Sequence, residues 1–291
     1  MILDISAQVL WQGLANGLAL GWVYVLMALG LTLIFGIMRI MQFAHGEIYM
    51  LGAYGAYYFT TSIKTPLFFA AIISMVLMVL IGLILERFLF RPIKGDYAAA
   101  VVASTGLALI LQSGAMVLFG LHHRNLPMLA EGPFHITAEI IIPKDRIVAV
   151  AFAVSLSLVL YLFLKITKYG QAMVASAQSP EGAILQGIGP DRMSALSMGI
   201  GCALAAAGGV LAGSMFQMGP FMGITPLVNG LLIIILGGMG SLLGALIAGM
   251  TLGLINGLVP ILFGHVWATL CPLFFVIIIL VIKPQGLFGH E

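Results

Sequence analysis

KYGQAMVASAQSPEGAILQGIGPDR, residues 168–192, lies between two long apolar spans and is neither a tight turn nor a polar linker. Its alanines favour a helix over Tyr169 to Ala177. Ser179 then supplies an N-cap, Pro180 suits the first helical position, and Glu181 favours the positive end of a second helix. That helix reaches Gln186 before Gly189-Pro190 stop it, and Asp191 is placed to cap the next span. Two short helices between apolar spans make a folded surface element, which implies something to dock against.

The flanking sequence sets the class. The 291-residue chain is 62% hydrophobic and 8% charged, with a mean hydropathy of +1.16. Soluble domains carry roughly 25% charged residues. The expected fold is therefore all-α, a polytopic transmembrane helical bundle, with one membrane domain over residues 1–291. A net charge of +2 without a basic run gives no footprint for nucleic acid. Cys202 and Cys271 fall inside apolar spans, which argues against a disulfide scaffold. The N-terminus lacks the positive segment of a cleaved signal peptide, so insertion is expected to rely on the spans.

Apolar spans cover Gln8 to Phe35, Ile48 to Ser62, Pro66 to Leu85, Ala98 to Phe119, Ile147 to Leu164, Met193 to Phe216 and Val266 to Ile282. The tract Leu227 to Phe263 is divided by GGMGS at Gly237 to Ser241 and reads as two short helices. That makes nine crossings, or eight if one piece is re-entrant. Residues 121–146 form a polar loop. With residues 168–192 cytoplasmic, alternation puts Arg39, Arg87, Arg91, Lys94, Lys165, Lys168, Arg192 and Lys283 inside. Lys64, Arg124, Lys144 and Arg146 stay outside, as does the N-terminus with Asp4, and the C-terminus is inside. Gly208, Gly209 and Gly213, and Gly240, Gly244, Gly249 and Gly253, form small-residue ladders suited to close helix packing. AHGEIYMLGAYGA and GGMGSLLGALIAG share a glycine rhythm that suggests a diverged internal repeat.

Intramembrane polar residues mark a pathway by their cost. Gln42, His45 and Glu47 follow Arg39 at the end of the first span. They form either a solvated turn or a break in a helix facing a transport route, with Arg39 free to pair with Glu47. Asn229 and Gly230, with Gly237 and Gly238 at the glycine break, are the other pathway candidates. Asn16, Gln112, Asn229 and Asn256 suit hydrogen bonds between helices. His122-His123 lacks the supporting acid or cysteine of a metal site. No protease or hydrolase motif occurs, and no catalytic residue is expected. No lysine follows a glycine, so the chain has no nucleotide-binding P-loop.

GLTLIFGIMRIMQFAHGEIYMLGAY (Gly30 to Tyr54), ERFLFRPI (Glu86 to Ile93), the stretch from Tyr169 to Met193, GGVLAG, LGGMGSLLGALIAG and KPQGLFG together resemble the LivH-type membrane permeases of branched-chain amino-acid ABC importers, essentially from end to end. The resemblance implies a second, homologous permease, two cytoplasmic ATP-binding subunits and a periplasmic substrate-binding protein, within the lipid of a bacterial inner membrane. ATP and magnesium would be bound by the ATPase partners, and this chain would need no cofactor. Residues 168–192 look like the coupling loop, with contact carried by Gln171, Ala172, Ala175, Ser179, Pro180, Glu181, Ala183 and Gly187. The small side chains at Ala172, Ala175, Ala183 and Gly187 suit close approach in a protein groove. The family more often has Asn at Gln42 and arginines at Gln171 and Val174, so packing rather than charge is expected to hold the loop. Residues 121–146 and the turn near Gly219 to Thr225 would meet the binding protein. A urea or short-amide permease shares these features. An ion-coupled secondary transporter is the reading from another class, and it would show more embedded acids than Glu47.

Overall fold

The computed structural model describes residues 7–135 and 141–288. Helices dominate: α1 (Ala7–Met38), α2 (His45–Thr61), α3 (Leu67–Leu85), α4 (Tyr97–Phe119), α5 (Lys144–Ile166), α6 (Lys168–Gln178), α7 (Pro180–Leu185), α8 (Pro190–Met215), α9 (Ile224–Gly237), α10 (Leu242–Phe263) and α11 (His265–Ile282). A π turn, Glu86–Phe90, prolongs α3, and one antiparallel hairpin pairs β1 (Pro133–His135) with β2 (Ile141–Pro143). Lys144, Asp145 and Arg146 belong to the first turn of α5, so the polar loop is shorter than 121–146. Asp4 lies outside the described residues.

Among the described residues, six helices are long and apolar enough to cross a membrane: α1, α3 with its π turn, α4, α5, α8 and α10. The tract after Leu227 is thus not two short helices. Only α9 is short, at 14 residues, whereas α10 has 22. At 1.5 Å per residue α9 extends about 21 Å, less than the roughly 30 Å of a hydrocarbon core.

Both α2 and α9 begin inside the bundle. The chain leaves α1 at Met38, passes through Arg39 in a left-handed conformation (φ 55°), and starts α2 at His45, which is fully buried. Gly46 and Gly223 meet there backbone to backbone. From this point α2 runs toward the hairpin end of the bundle, and α9 runs toward the end that carries α6 and α7. Packing repeats with the same opposition. α3 lies on α8 as α10 lies on α1, α2 packs on α8 and α3 as α9 packs on α1 and α10, and α1 packs on α8 at the centre. This is the arrangement of an inverted repeat, α1–α4 against α8–α11. The repeat is real, but it relates α2 to α9. The matched glycine rhythm instead aligns α2 with the GGMGS turn and the start of α10.

Glycine makes these approaches possible. A Cβ on Gly209 would collide with the Tyr49 backbone of α2, and Gly253 packs on Gly21 as Gly257 packs on Gly17. Gly244 abuts Gly237 across the α9–α10 turn, with Ser241 Oγ accepting from Gly244 N at 3.1 Å. Gly240 belongs to no ladder: it lies in that turn at φ 88° with open space around it. Asn229 and Asn256 donate to Thr225 O and Leu252 O of their own helices, so neither of these bonds links two helices. α4 is the least buried of the six long helices, and α2 is its main support.

Gly209→Val should force α2 from α8 and lower stability by about 1–3 kcal/mol, the usual range for overpacking. Gly106→Val, where no atom lies within 4 Å of the added Cβ, should leave thermal unfolding in detergent unchanged.

Candidate functional site

Two of the places that the sequence singles out combine polar chemistry with defined geometry. The first is the break before α2. Gln42 and His45 are fully buried and Glu47 is 5% exposed, so this is a helix break in the interior and not a solvated turn. Gln42 Oε1 lies 3.3 Å from His45 Nδ1. His45 Nε2 reaches α1 at Gly30, where an added Cβ would lie 2.8 Å from it. Gln42 Nε2, His45 Nε2 and Glu47 Oε2 have no hydrogen-bond partner among the described residues. Unpaired polar atoms in an apolar interior are costly, which makes the break a candidate site. The three residues do not converge on one point. Glu47 is two positions from His45, so about 200° of helical turn sends their side chains to opposite sides of α2.

Arg39 is exposed and makes no ion pair with Glu47. Of the other pathway candidates, Asn229 is buried on α9. Gly230 is a packing residue against Met27 and Leu31 of α1. Gly237 and Gly238 serve the chain end: Leu287 N donates to Leu236 O at 2.8 Å, Phe288 N donates to Gly237 O at 3.0 Å, and Gly286 packs on Gly238. The closing KPQGLFG motif therefore caps α9, a role hidden in sequence because the partners lie some fifty residues apart.

The second place is residues 168–192. Thr167 caps α6, its Oγ1 accepting from Gly170 N at 3.0 Å, and Ser179 caps α7, its Oγ accepting from Gly182 N at 3.1 Å. Gly187, at φ 77°, turns the chain toward α8. Asp191 does not cap α8. Gly189 holds that position, and the Asp191 carboxylate accepts from Lys94 Nζ at 2.9 Å and lies 4.0 Å from Arg91. Arg91 in turn grips the buried Glu86 carboxylate at 2.8 and 3.2 Å, and that contact holds its guanidinium above the ordinary arginine value. This ionic chain fastens the start of α8 to the turn between α3 and α4.

The exposed face of α7 differs from expectation. Ala183 is 4% exposed and packs inward, while Leu185 is 85% exposed and Ile184 stands beside it. Gln171, Ser179, Glu181 and Gly187 are exposed, and Ala172, Ala175 and Pro180 are half-buried. Two large apolar side chains therefore project where only small ones were expected. Helical spacing explains it, because positions 183 and 185 face opposite ways. Beside α6 a cleft of about 650 Å³ opens between Arg39 and Gly36 of the α1 end, Met173 and Ala177 of α6, and Met239 and Ser241 of the α9–α10 turn. Gln42, His45, Glu47 and Asn229 do not line it.

The match to known proteins runs the length of this architecture. A family model described as "Branched-chain amino acid transport system / permease component" matches residues 13–282. The chain is 30% identical over 295 residues to the high-affinity branched-chain amino acid transport system permease protein LivH of Escherichia coli K12, covering 96% of this chain and 95% of that protein. It is 28% identical over 293 residues, with the same coverage, to the corresponding permease protein BraD of Pseudomonas aeruginosa. A solved chain of PsaBC from Streptococcus pneumoniae in complex with Fab is 18% identical, with a TM-score of 0.49, over 96% of this chain and 91% of that one. This chain belongs to the permease component family of branched-chain amino acid transport systems.

Proposed function

We propose that this chain is the permease subunit of an ATP-driven importer of branched-chain amino acids in a bacterial inner membrane. It pairs with a second, homologous permease, two cytoplasmic ATPase subunits and a periplasmic substrate-binding protein. The ATPases hold ATP and magnesium, since this sequence has no P-loop of its own. The observation that carries the reading is the capped α6–α7 element with Leu185 projecting from it. Leu185 and Ile184 form an apolar knob of the kind a protein groove accepts. The basic residues collect at the same end: Arg39 lines the cleft beside α6, and Lys94 and Arg91 meet Asp191. That asymmetry supports a cytoplasmic α6–α7 end and C-terminus, with the N-terminus outside.

Coupling then follows from the geometry. Closure of the ATPases pulls on α7, and the Asp191–Lys94 and Glu86–Arg91 pairs carry the displacement to α8 and α3 together. Those two helices flank α2, whose start holds Gln42, His45 and Glu47. Access at the break alternates as the two halves of the inverted repeat shift against one another. No covalent chemistry is assigned to the chain.

The defining experiment is uptake by proteoliposomes holding the complete complex. Leucine accumulation that survives collapse of ion gradients and stops on ATP depletion is expected. Urea uptake in its place would redirect the reading, and dependence on an ion gradient would overturn it. Leu185→Asp should cut coupled uptake at least about ten-fold, the scale of a lost interface anchor, while the permease keeps its thermal stability. Ala183→Asp should instead lower stability, because that residue is buried. His45→Ala and Glu47→Ala should each impair uptake in complexes that still assemble on an affinity column. Wild-type uptake by both variants would remove the helix break from the pathway.

A further inference from the structure

At the hairpin end of the bundle, Arg124 is fixed from several sides. Its backbone bridges Met218, N to O at 2.9 Å in both directions, which joins the loop after α4 to the loop after α8. Nη1 donates to Tyr57 Oη at 3.2 Å, Nη2 donates to Phe119 O at 3.0 Å, and the guanidinium lies 5.1 Å from the centre of the Tyr57 ring. Among the described residues no carboxylate pairs with it, and its buried Nε has no partner. Tyr54 stands alongside, stacked on Phe119 at 4.1 Å between ring centres and within electrostatic reach of Arg124. Its hydroxyl is buried and also unpartnered. A rigid, unpaired guanidinium next to a free phenol is a donor set for a carboxylate.

We propose that Arg124 and Tyr54 form an entry site that reads the carboxylate of the substrate amino acid, an inference that rests on the amino-acid importer reading above. The donors are recessed. Arg124 is partly exposed, so its guanidinium is what an arriving carboxylate meets first, and the buried Tyr54 hydroxyl comes within reach only as the end of α4 gives way. The same face of α2 continues inward. Tyr54 and Glu47 are seven residues apart, two helical turns and about 10 Å, and therefore share one side of the helix. Glu47 Oε2 is unpartnered as well. A zwitterion moving along this face meets first a cation that takes its carboxylate, then an acid that takes its ammonium. Occupation of Arg124 competes with the Phe119 carbonyl, so arrival of substrate loosens the end of α4, the helix that covers this face.

Tyr54→Phe keeps the ring stack and removes only the hydroxyl, which makes it the cleanest test, with Arg124→Gln as the stronger perturbation. In proteoliposomes with the whole complex and leucine-loaded binding protein, uptake efficiency should fall about ten-fold in Y54F and about a hundred-fold in R124Q, the scale of charge-assisted hydrogen bonds. Affinity of the complex for the loaded binding protein should not change, and Arg124→Lys should recover part of the loss. Wild-type uptake in both Y54F and R124Q overturns the site. A loss of binding-protein affinity that parallels the loss of uptake also overturns it, because the carboxylate then belongs to the partner protein. If the unsubstituted complex moves no branched-chain amino acid, the importer reading itself fails. If it does and the variants are indifferent, only the entry site fails.

Discussion

Gly46 at the start of α2 and Gly223 just before α9 meet backbone to backbone, with no room for a side chain between them. Non-helical backbone inside a membrane bundle survives only where protein supplies its hydrogen bonds. Here the first turn of each short helix closes locally. Ile48 N donates to Ala44 O at 3.1 Å, and Leu227 N donates to Gly223 O at 3.0 Å. With both starts at one level, α1 and α8 must pass on either side of them. The placement of α3 on α8 and of α10 on α1 follows. This close contact sits at the centre of the inverted order, which the packing of α1 on α8 and α10 and of α8 on α2 and α3 maintains.

The same contact creates the chemistry. A helix that starts in the interior brings the polar residues of its first turn with it, and Gln42, His45 and Glu47 sit there with unpaired atoms. Their helical phase then separates them. His45 turns toward α1, and Glu47 turns to the side of α2 that Tyr54 shares. The proposed pathway is thus a face of one helix, with Arg124 at its outer end and Glu47 at its inner end.

Coupling depends on a different physics. Residues 168–192 are held by two side-chain caps and one left-handed glycine, while Asp191 joins Lys94 and Arg91 across the surface. Exposed ion pairs of this kind contribute little to stability. Their use in the proposed coupling is geometric, because they tie the start of α8 to the turn after α3. Leu185 then offers an apolar projection at the outermost point of that unit.

Periodicity and composition by themselves determined the all-α membrane bundle, most helix boundaries to within about three residues, and the cap at Ser179 with Pro180 at the first helical position, while the family was legible from motifs that resemble known permeases. Those features follow from local chemistry: apolar run length, a capping hydroxyl, proline at a first turn. Direction and distance were decided only by the tertiary structure. Ala183 and Leu185 are two residues apart, yet one is core and the other projects, because the helix phase relative to α8 appears only once packing is set. Asp191 had a reasonable cap position in sequence, but Lys94, 97 residues away, offered the stronger partner. Gly237 accepts from Phe288 N and Gly238 packs on Gly286, contacts that no local spacing around the glycine pair announces. What residues 168–192 make was legible in their own letters; what faces outward from them was not, since long-range contacts leave no trace in local spacing.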